Sequence, residues 1–172
     1  MKKVVIALVG ESGSGKTWAS WYLQETFGWN TVVSYTTRPM RAGEKNGHDH
    51  WFVDDTQVPP KSKMCAYTQF GGYEYWTKWE QFECECPSVY VIDEKGLIDL
   101  MSKEQSPFSF RLVTIKITRD NKTGIDKDRL ERDRDRVILP NEFYDYIINN
   151  DGSLEQFRTS LYLTAKSIII KD

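Results

Sequence analysis

The chain has 172 residues, a formal net charge of −2 and 40% hydrophobic residues, which is typical of a single globular domain with a sizeable core. The negative net charge argues against a general nucleic-acid-binding protein, whose basic residues would dominate the sum. No apolar stretch reaches transmembrane length, and the apolar run near Met1 is too short for a signal peptide. We therefore expect a soluble, cytoplasmic monomer or homodimer that binds neither nucleic acid nor membranes.

The cysteines predict neither a metal site nor a disulfide framework. Cys65, Cys84 and Cys86 are few and odd in number, and their spacing is not that of a zinc site. We expect a reduced chain in which residues 84–86 form a loop before Pro87.

A glycine-rich stretch stands between a predicted strand and a predicted helix. Residues 10–17 have the sequence Gly-Glu-Ser-Gly-Ser-Gly-Lys-Thr, which matches the pattern G-x-x-x-x-G-K-[ST]. The apolar residues 3–9 before it predict a buried strand, and residues 18–27 after it predict a helix that ends at Gly28. This context of strand, loop and helix is the one in which the pattern forms a phosphate-binding loop.

This loop has the chemistry of an ATP site. Its glycines let backbone N–H groups surround a phosphate, and the helix N-terminus adds a partial positive charge. Lys16 would neutralise the outer phosphates, and the Thr17 hydroxyl would bind Mg²⁺, the predicted metal cofactor. The predicted ATP-binding residues in the loop are Gly10, Glu11, Ser12, Gly13, Ser14, Gly15, Lys16 and Thr17.

Strand and helix patterns alternate along most of the chain, which predicts an α/β fold. A parallel five-stranded sheet with right-handed crossovers and helices on both faces, in three layers, satisfies this alternation. After the first strand and helix, the predicted strands are 30–35, 88–93, 110–118 and 144–149, and the predicted helices are 94–102, 125–136 and 154–170.

Residues 36–83 interrupt the alternation with turn signals and short aromatic strands, at 64–70 and 73–77. We predict a single domain, 1–172, in which this stretch is an insertion over the carboxyl edge of the sheet, where ligands of such folds bind. The core then comprises residues 1–35 and 84–172, with a short lid at about 120–140.

Arg38 and Arg41 lie three residues apart in the loop that opens the insertion. Two guanidinium groups at this distance suit a phosphate. Taken alone, the spacing is more typical of two solvated surface arginines.

Four blocks of the sequence resemble the guanylate kinases, a family of P-loop nucleoside monophosphate kinases. Residues 34–44 (Ser-Tyr-Thr-Thr-Arg-Pro-Met-Arg-Ala-Gly-Glu), followed by Asn-Gly, resemble the family's acceptor-binding segment. Residues 70–77, 91–96 and 144–151 resemble later blocks in the same order. The resemblance covers most of the chain and implies a P-loop kinase fold with an insertion that binds the nucleoside monophosphate.

The resemblance also implies a reaction, the transfer of the ATP γ-phosphoryl group to a (deoxy)nucleoside 5′-monophosphate, for which GMP or dGMP is the best prediction. Arginines and a tyrosine would bind the acceptor phosphate, and hydroxyl groups would approach the base. Asp93 would serve the metal together with Thr17, and Asn150 would lie beside the adenine of ATP. The implied acceptor-binding residues are Ser34, Arg38, Arg41, His50, Tyr75 and Thr77.

Three positions depart from the family pattern. His50 replaces a tyrosine that binds phosphate, Ala66 replaces a glutamate that reads guanine, and Val91 replaces one of two acids beside the metal. A buried carboxylate that pairs with N–H donors is an effective way to reject other bases. We therefore predict activity on at least one further nucleoside monophosphate.

Residues 128–136 contain arginines at helical spacing, so that Arg129, Arg132 and Arg136 share a face. A solvated helix with salt bridges is one interpretation. In a P-loop kinase, however, a lid must supply arginines to the transferred phosphoryl group, and Arg134 is a further candidate. The predicted catalytic residues are Lys16, Arg38, Arg129, Arg132 and Arg136.

Two alternative functions remain open. A P-loop kinase of another phosphorylated acceptor, such as a ribose bisphosphate, is one, although residues 70–77 favour a nucleotide. A non-catalytic, guanylate-kinase-like binding module is the other, although the intact loop at 10–17 favours catalysis.

Overall fold

The computed structural model describes residues 3–103, 106–121, 123–125, 127–134 and 136–170, apart from the side chains of residues 128, 129 and 132. In chain order the strands and helices are β1 Lys3–Val9, α1 Lys16–Phe27, β2 Asn30–Val32, β3 Tyr35–Thr36, β4 Trp51–Phe52, β5 Ala66–Phe70, β6 Tyr73–Thr77, β7 Ser88–Val91, α2 Glu94–Met101, β8 Phe110–Thr118, α3 Lys127–Asp133, β9 Tyr146–Asn149 and α4 Leu154–Ile170.

The larger sheet has five parallel strands in the order β2-β7-β1-β8-β9. The side chains of its central strand, β1, are buried on both faces from Val4 to Val9, which explains the nearly continuous apolar sequence. Helices α1 and α4 cover one face, where Leu23 and Leu161 pack, and α2 covers the other, where Leu97 packs. The predicted fold class is confirmed.

The smaller sheet, in the order β4-β3-β6-β5, lies largely within the predicted insertion. Strands β5 and β6 form an antiparallel hairpin, and the fully buried Trp76 stacks on Tyr35 at 5.6 Å between ring centroids. The backbone N–H of Tyr67 donates to Asp99 of α2 at 2.9 Å. Helix α2 therefore holds the smaller sheet against the core.

Four predicted strands had wrong boundaries, of which 64–70 begins only at Ala66 and 88–93 ends at Val91. The predicted strand 30–35 is divided, because β2 pairs in the larger sheet and β3 in the smaller one. The predicted strand 144–149 begins only at Tyr146, because the Asp145 carboxylate is used to accept hydrogen bonds from the backbone N–H and hydroxyl of Thr114, at 2.8 and 3.0 Å.

The cysteines also differ from expectation. Cys84 and Cys86 are joined by a disulfide, with their Cα atoms 5.3 Å apart, whereas the sequence predicted a reduced loop. Cys65 is a buried free thiol. Within the described ranges, none of the helices combines the length and the apolar character needed to cross a membrane.

A buried ion pair joins the segment after α3 to the start of α2. Arg136 donates from Nε and Nη2 to the two carboxylate oxygens of Glu94, at 2.6 and 2.7 Å. The side chains are only 8% and 6% exposed. In such a pair the desolvation cost roughly balances the attraction, but removing one partner leaves a buried charge without compensation.

We predict that Glu94→Gln lowers the free energy of unfolding by about 3 kcal/mol, measured by urea denaturation, because the guanidinium of Arg136 loses its charged partner. Glu155→Gln is the matched control, since Glu155 is 81% exposed and lies 4.0 Å from Arg158. This control should change stability by less than about 0.5 kcal/mol. Equal effects of the two substitutions would contradict the prediction.

Candidate active site

The glycine-rich loop connects β1 to α1. A side chain at Gly10 would collide with the carbonyl oxygen of Ile117, and Gly15 has a φ of 103°, in the left-handed region. Lys16 begins α1, and its Nζ donates to the carbonyl oxygens of Gly10 and Glu11, both at 2.7 Å. The ammonium group therefore lies over the loop.

Asn150 follows β9 and supports the outside of this loop. Its side-chain Nδ2 donates to the carbonyl oxygen of Ser14 at 2.9 Å, and its backbone N–H donates to Thr118 at 2.8 Å. The residue predicted to lie beside adenine thus connects the end of β9 to the loop.

One cavity of about 580 Å³ lies at the carboxyl edge of the larger sheet, next to the insertion. This volume is in the range of small-molecule sites. The cavity brings residues of the predicted ATP site together with residues of the predicted acceptor site. Among the predicted site residues, those that line it are Ser12, Thr17, Ser34, Arg38, Arg41, His50, Tyr75 and Asp93.

Arg38 is the most constrained cation of the cavity. Its guanidinium is 5% exposed and donates to both carboxylate oxygens of Glu44, at 3.0 and 2.8 Å. Nη1 also donates to the carbonyl oxygen of Pro39 at 2.8 Å, and Glu44 accepts the backbone N–H of Arg41 at 2.8 Å. Glu44 therefore orients the guanidinium of Arg38 and fixes the backbone at Arg41.

His50 lines the cavity together with Arg38 and can act there as a neutral hydrogen-bond donor. Its Nδ1 lies 2.9 Å from the hydroxyl of Ser34, and its ring meets the edges of Phe52 and Tyr75. Burial, together with the positive charge of Arg38, lowers the pKa of His50 to about 4. When Nδ1 accepts the Ser34 hydroxyl, Nε2 carries the proton and can donate to a phosphate oxygen.

Asp93 lies with the acceptor residues and caps α2. Its Oδ1 accepts the N–H of Gly96 at 2.7 Å, and its Oδ2 accepts the hydroxyl of Thr68 at 2.9 Å. Thr68 is opposite Tyr75 in the β5–β6 hairpin. Burial raises the pKa of Asp93, although both hydrogen bonds act against the increase.

Several predicted residues lie away from the cavity. Thr77 and Ala66 are opposite each other and are 0% and 1% exposed, within the packed interior. Arg136 is bound to Glu94, and Arg134 is exposed after α3. The side chains of Arg129 and Arg132 lie outside the described residues.

Several residues that line the cavity were not predicted to belong to the site, among them Trp21, Glu44 and Thr68. Trp21 lies four residues after Thr17 on α1, and hence on the same helix face. The centroid of its ring lies 4.9 Å from that of His48, which also lines the cavity. Thr68 is two residues before Phe70, which also lines the cavity, so strand alternation could have identified it.

We predict that wild-type stability falls between pH 6.5 and 4, because the unfolded chain binds a proton at His50 that the folded chain, with its pKa of about 4, does not bind. The loss should be about 2–3 kcal/mol, measured by urea denaturation across this range. It should be absent in His50→Gln. His48→Gln, at a residue that is 54% exposed, should keep the wild-type profile, and identical profiles in all three proteins would contradict the prediction.

Comparison with known proteins gives a consistent family. A family model described as guanylate kinase matches residues 1–162. A guanylate kinase from Legionella pneumophila (strain Paris) is 31% identical over 81% of this chain and 75% of its own length. A second guanylate kinase, from Protochlamydia amoebophila (strain UWE25), is 28% identical over 94% of this chain and 87% of its own.

A solved structure supports the fold. The crystal structure of guanylate kinase from Anaplasma phagocytophilum superimposes with a TM-score of 0.71, covering 99% of this chain and 86% of that chain. The two sequences are 22% identical, so this comparison supports the arrangement of strands and helices alone.

Proposed function

Because the chain belongs to the guanylate kinase family of ATP-dependent phosphotransferases, we propose that it transfers the γ-phosphoryl group of ATP to GMP or dGMP. The observation that carries this proposal is a cavity lined both by Ser12 and Thr17 of the phosphate loop and by Arg38 and Arg41 of the insertion. Two bound nucleotides in this cavity would have their phosphates side by side, which is the main requirement for phosphoryl transfer.

The loop between β1 and α1 would hold the ATP phosphates. Its backbone N–H groups and the N-terminus of α1 stabilise negative charge there. Lys16 would exchange the carbonyl oxygens of Gly10 and Glu11 for phosphate oxygens. Asn150 would keep the loop in place through its bond to Ser14.

The side chains around Thr17 fit a magnesium ion that arrives with ATP. Thr17 is exposed and lines the cavity. Within the described residues, no group of three or more His, Cys, Asp or Glu could hold a metal by itself. Mg²⁺ usually takes few protein ligands and several phosphate oxygens. When bound, it would neutralise charge on the β- and γ-phosphates.

Arg38, Arg41, His50 and Tyr75 would hold the acceptor phosphate. Its second ionisation has a pKa of about 6, so an acceptor oxygen is already an anionic nucleophile at neutral pH, and the protein needs no general base. That oxygen forms a bond to the γ-phosphorus as the bond to the β–γ bridging oxygen breaks, and ADP leaves. Closure of the site would exclude water, which could otherwise take the phosphoryl group.

We assign stabilisation of the transferred phosphoryl group to the arginines of the lid segment. Arg129 and Arg132 belong to α3, and Arg134 follows it. Arg136 is held at the start of α2 by two bonds to Glu94, and we therefore place it last among these candidates.

We predict that wild-type protein with ATP, Mg²⁺ and GMP produces ADP and GDP, and that two variants separate the two halves of the site. Lys16→Ala should reduce kcat at least a hundredfold, equivalent to about 2.7 kcal/mol, because the transferred charge loses its cation. Arg38→Ala should raise the KM for GMP at least tenfold and leave ATP affinity unchanged, since its guanidinium faces the acceptor end. Chromatography of the nucleotides and calorimetry of ATP binding measure these effects. Wild-type protein that binds ATP and transfers nothing would contradict the proposed function and support a binding module.

Asp93, which the sequence assigned to the metal, would instead read the base together with Thr68, because these two residues line the cavity and Ala66 and Thr77 do not. An ionised carboxylate accepts hydrogen bonds only, and guanine presents the N1–H and the 2-amino group as donors. Asp93 already uses both oxygens for Gly96 and Thr68, but each oxygen has a second acceptor position. One carboxylate favours guanine with less selectivity than two would provide.

We predict that GMP or dGMP has the highest kcat/KM among the ribo- and deoxy-monophosphates of all bases, with measurable activity on at least one other. Asp93→Asn should lower the preference for guanine about tenfold or more. The NH₂ group of the asparagine side chain is a donor and cannot accept the N1–H or the 2-amino group of guanine. Thr68→Val should have a smaller effect. Ala66→Glu should sharpen the preference only if the new carboxylate reaches the base. Better turnover of a ribose bisphosphate than of every nucleotide would replace the proposed acceptor with the alternative one.

A further inference from the structure

A carboxylate of α3 is bonded to the phosphate loop. Asp133, the last residue of α3, accepts the backbone N–H of Ser12 at 2.7 Å through Oδ2 and the Ser12 hydroxyl at 3.1 Å through Oδ1. The two residues are 121 positions apart in the chain, and Ser12 lines the cavity. The contact therefore connects the predicted lid to the nucleotide site.

The position of Asp133 is unfavourable for its own helix. The C-terminus of a helix carries a partial negative charge, which disfavours an acidic side chain there. The compensating interaction is with the phosphate loop, whose N–H groups form a concave site for anions. A carboxylate on a backbone N–H makes one of the stronger hydrogen bonds in proteins, since the acceptor is charged.

The phosphates of ATP require the same surroundings. They carry several negative charges, and two anions a few ångströms apart repel each other strongly where water is excluded. The carboxylate of Asp133 and a nucleotide phosphate thus cannot share the donors of Ser12. Binding of a phosphate to these donors would therefore require both bonds to break and this end of α3 to move away from the loop.

We propose that Asp133 is an internal competitor of ATP, which occupies the phosphate loop in the nucleotide-free protein and is displaced by the nucleotide. The proposal rests on the proposed function, because it assumes that this loop takes ATP. Helix α3 also carries Arg129 and Arg132, two of the arginines assigned above to the transferred phosphoryl group. Displacement of Asp133 would release the helix that bears them only when a nucleotide is present.

Reciprocity gives the proposal a measurable form. If ATP and Asp133 compete for one loop, a change that weakens the Asp133 contact raises the fraction of open loop and lowers the apparent Kd for ATP in proportion to that fraction. In the absence of ATP, binding of the acceptor should be unaffected, because neither Ser12 nor Asp133 is among the residues that would hold it.

The test compares Asp133→Asn and Asp133→Ala with wild-type protein. Calorimetry with a non-hydrolysable ATP analogue and Mg²⁺ should show a Kd about tenfold lower in both variants, equivalent to about 1.4 kcal/mol, and an unchanged Kd for GMP. Glu131→Gln is the matched control, since it removes one charge from an exposed position on the same helix. Its Kd for the analogue should stay within twofold of the wild-type value.

A second measurement examines the contact without nucleotide. Hydrogen exchange at the Ser12 amide should be slow in wild-type protein and in Glu131→Gln, and clearly faster in Asp133→Ala. A Kd in both Asp133 variants equal to or higher than the wild-type value would overturn the proposal, as would an unchanged exchange rate.

The result is separable from that for the proposed function. Normal GMP phosphorylation with unchanged analogue affinity in the Asp133 variants would reject only the competition. Wild-type protein that binds no ATP would reject the proposed function, and binding restored in Asp133→Ala would then support the competition. If neither the wild-type protein nor Asp133→Ala bound ATP, the competition would be rejected as well.

Discussion

The position of β1 between two parallel neighbours is the constraint on which the site depends. Hydrogen bonding pairs Leu8 with Val91 of β7 and Val9 with Lys116 of β8. The phosphate loop, the Asp93 turn and the segment toward the lid consequently leave the sheet at one edge. A register shift of one residue would turn the side chains of β1 to the opposite faces. Both hydrophobic clusters and the meeting of these segments would then be lost.

Local sequence patterns predicted most of the fold and the phosphate loop of the candidate site. The apolar run of β1, the loop that follows and α1 are neighbours in sequence. One short segment therefore contains all the signals needed to predict them. Features that depend on distant partners were missed or misplaced. The burial of Ala66 and Thr77 depends on how β5 packs against α2, and the pairing of Arg136 depends on Glu94, 42 residues away. The Cys84–Cys86 disulfide was missed because its two-residue spacing resembles an ordinary loop.

Carboxylates already occupy the groups that would bind phosphate. Glu44 accepts hydrogen bonds from the guanidinium of Arg38, and Asp133 accepts them from the backbone N–H and hydroxyl of Ser12. The two contacts have different consequences. Glu44 comes from the same loop as Arg38 and fixes its orientation, which reduces the entropy lost on binding. Asp133 comes from another element and takes the donors themselves, so the donor half of the site is blocked while the acceptor half is prepared.

Asp93 and Glu94 are consecutive residues with different attachments. Asp93 faces the cavity beside Thr68, and Glu94 holds Arg136, which follows the lid helix. A displacement of the lid segment would therefore pull on the first turn of α2, immediately next to the carboxylate at the acceptor end. If ATP displaces the lid segment, this ion pair would transmit the displacement to the acceptor end without contact between the two substrates. In kinetic terms, the KM for the acceptor would then depend on the concentration of ATP, although the acceptor Kd measured without ATP would not depend on Asp133.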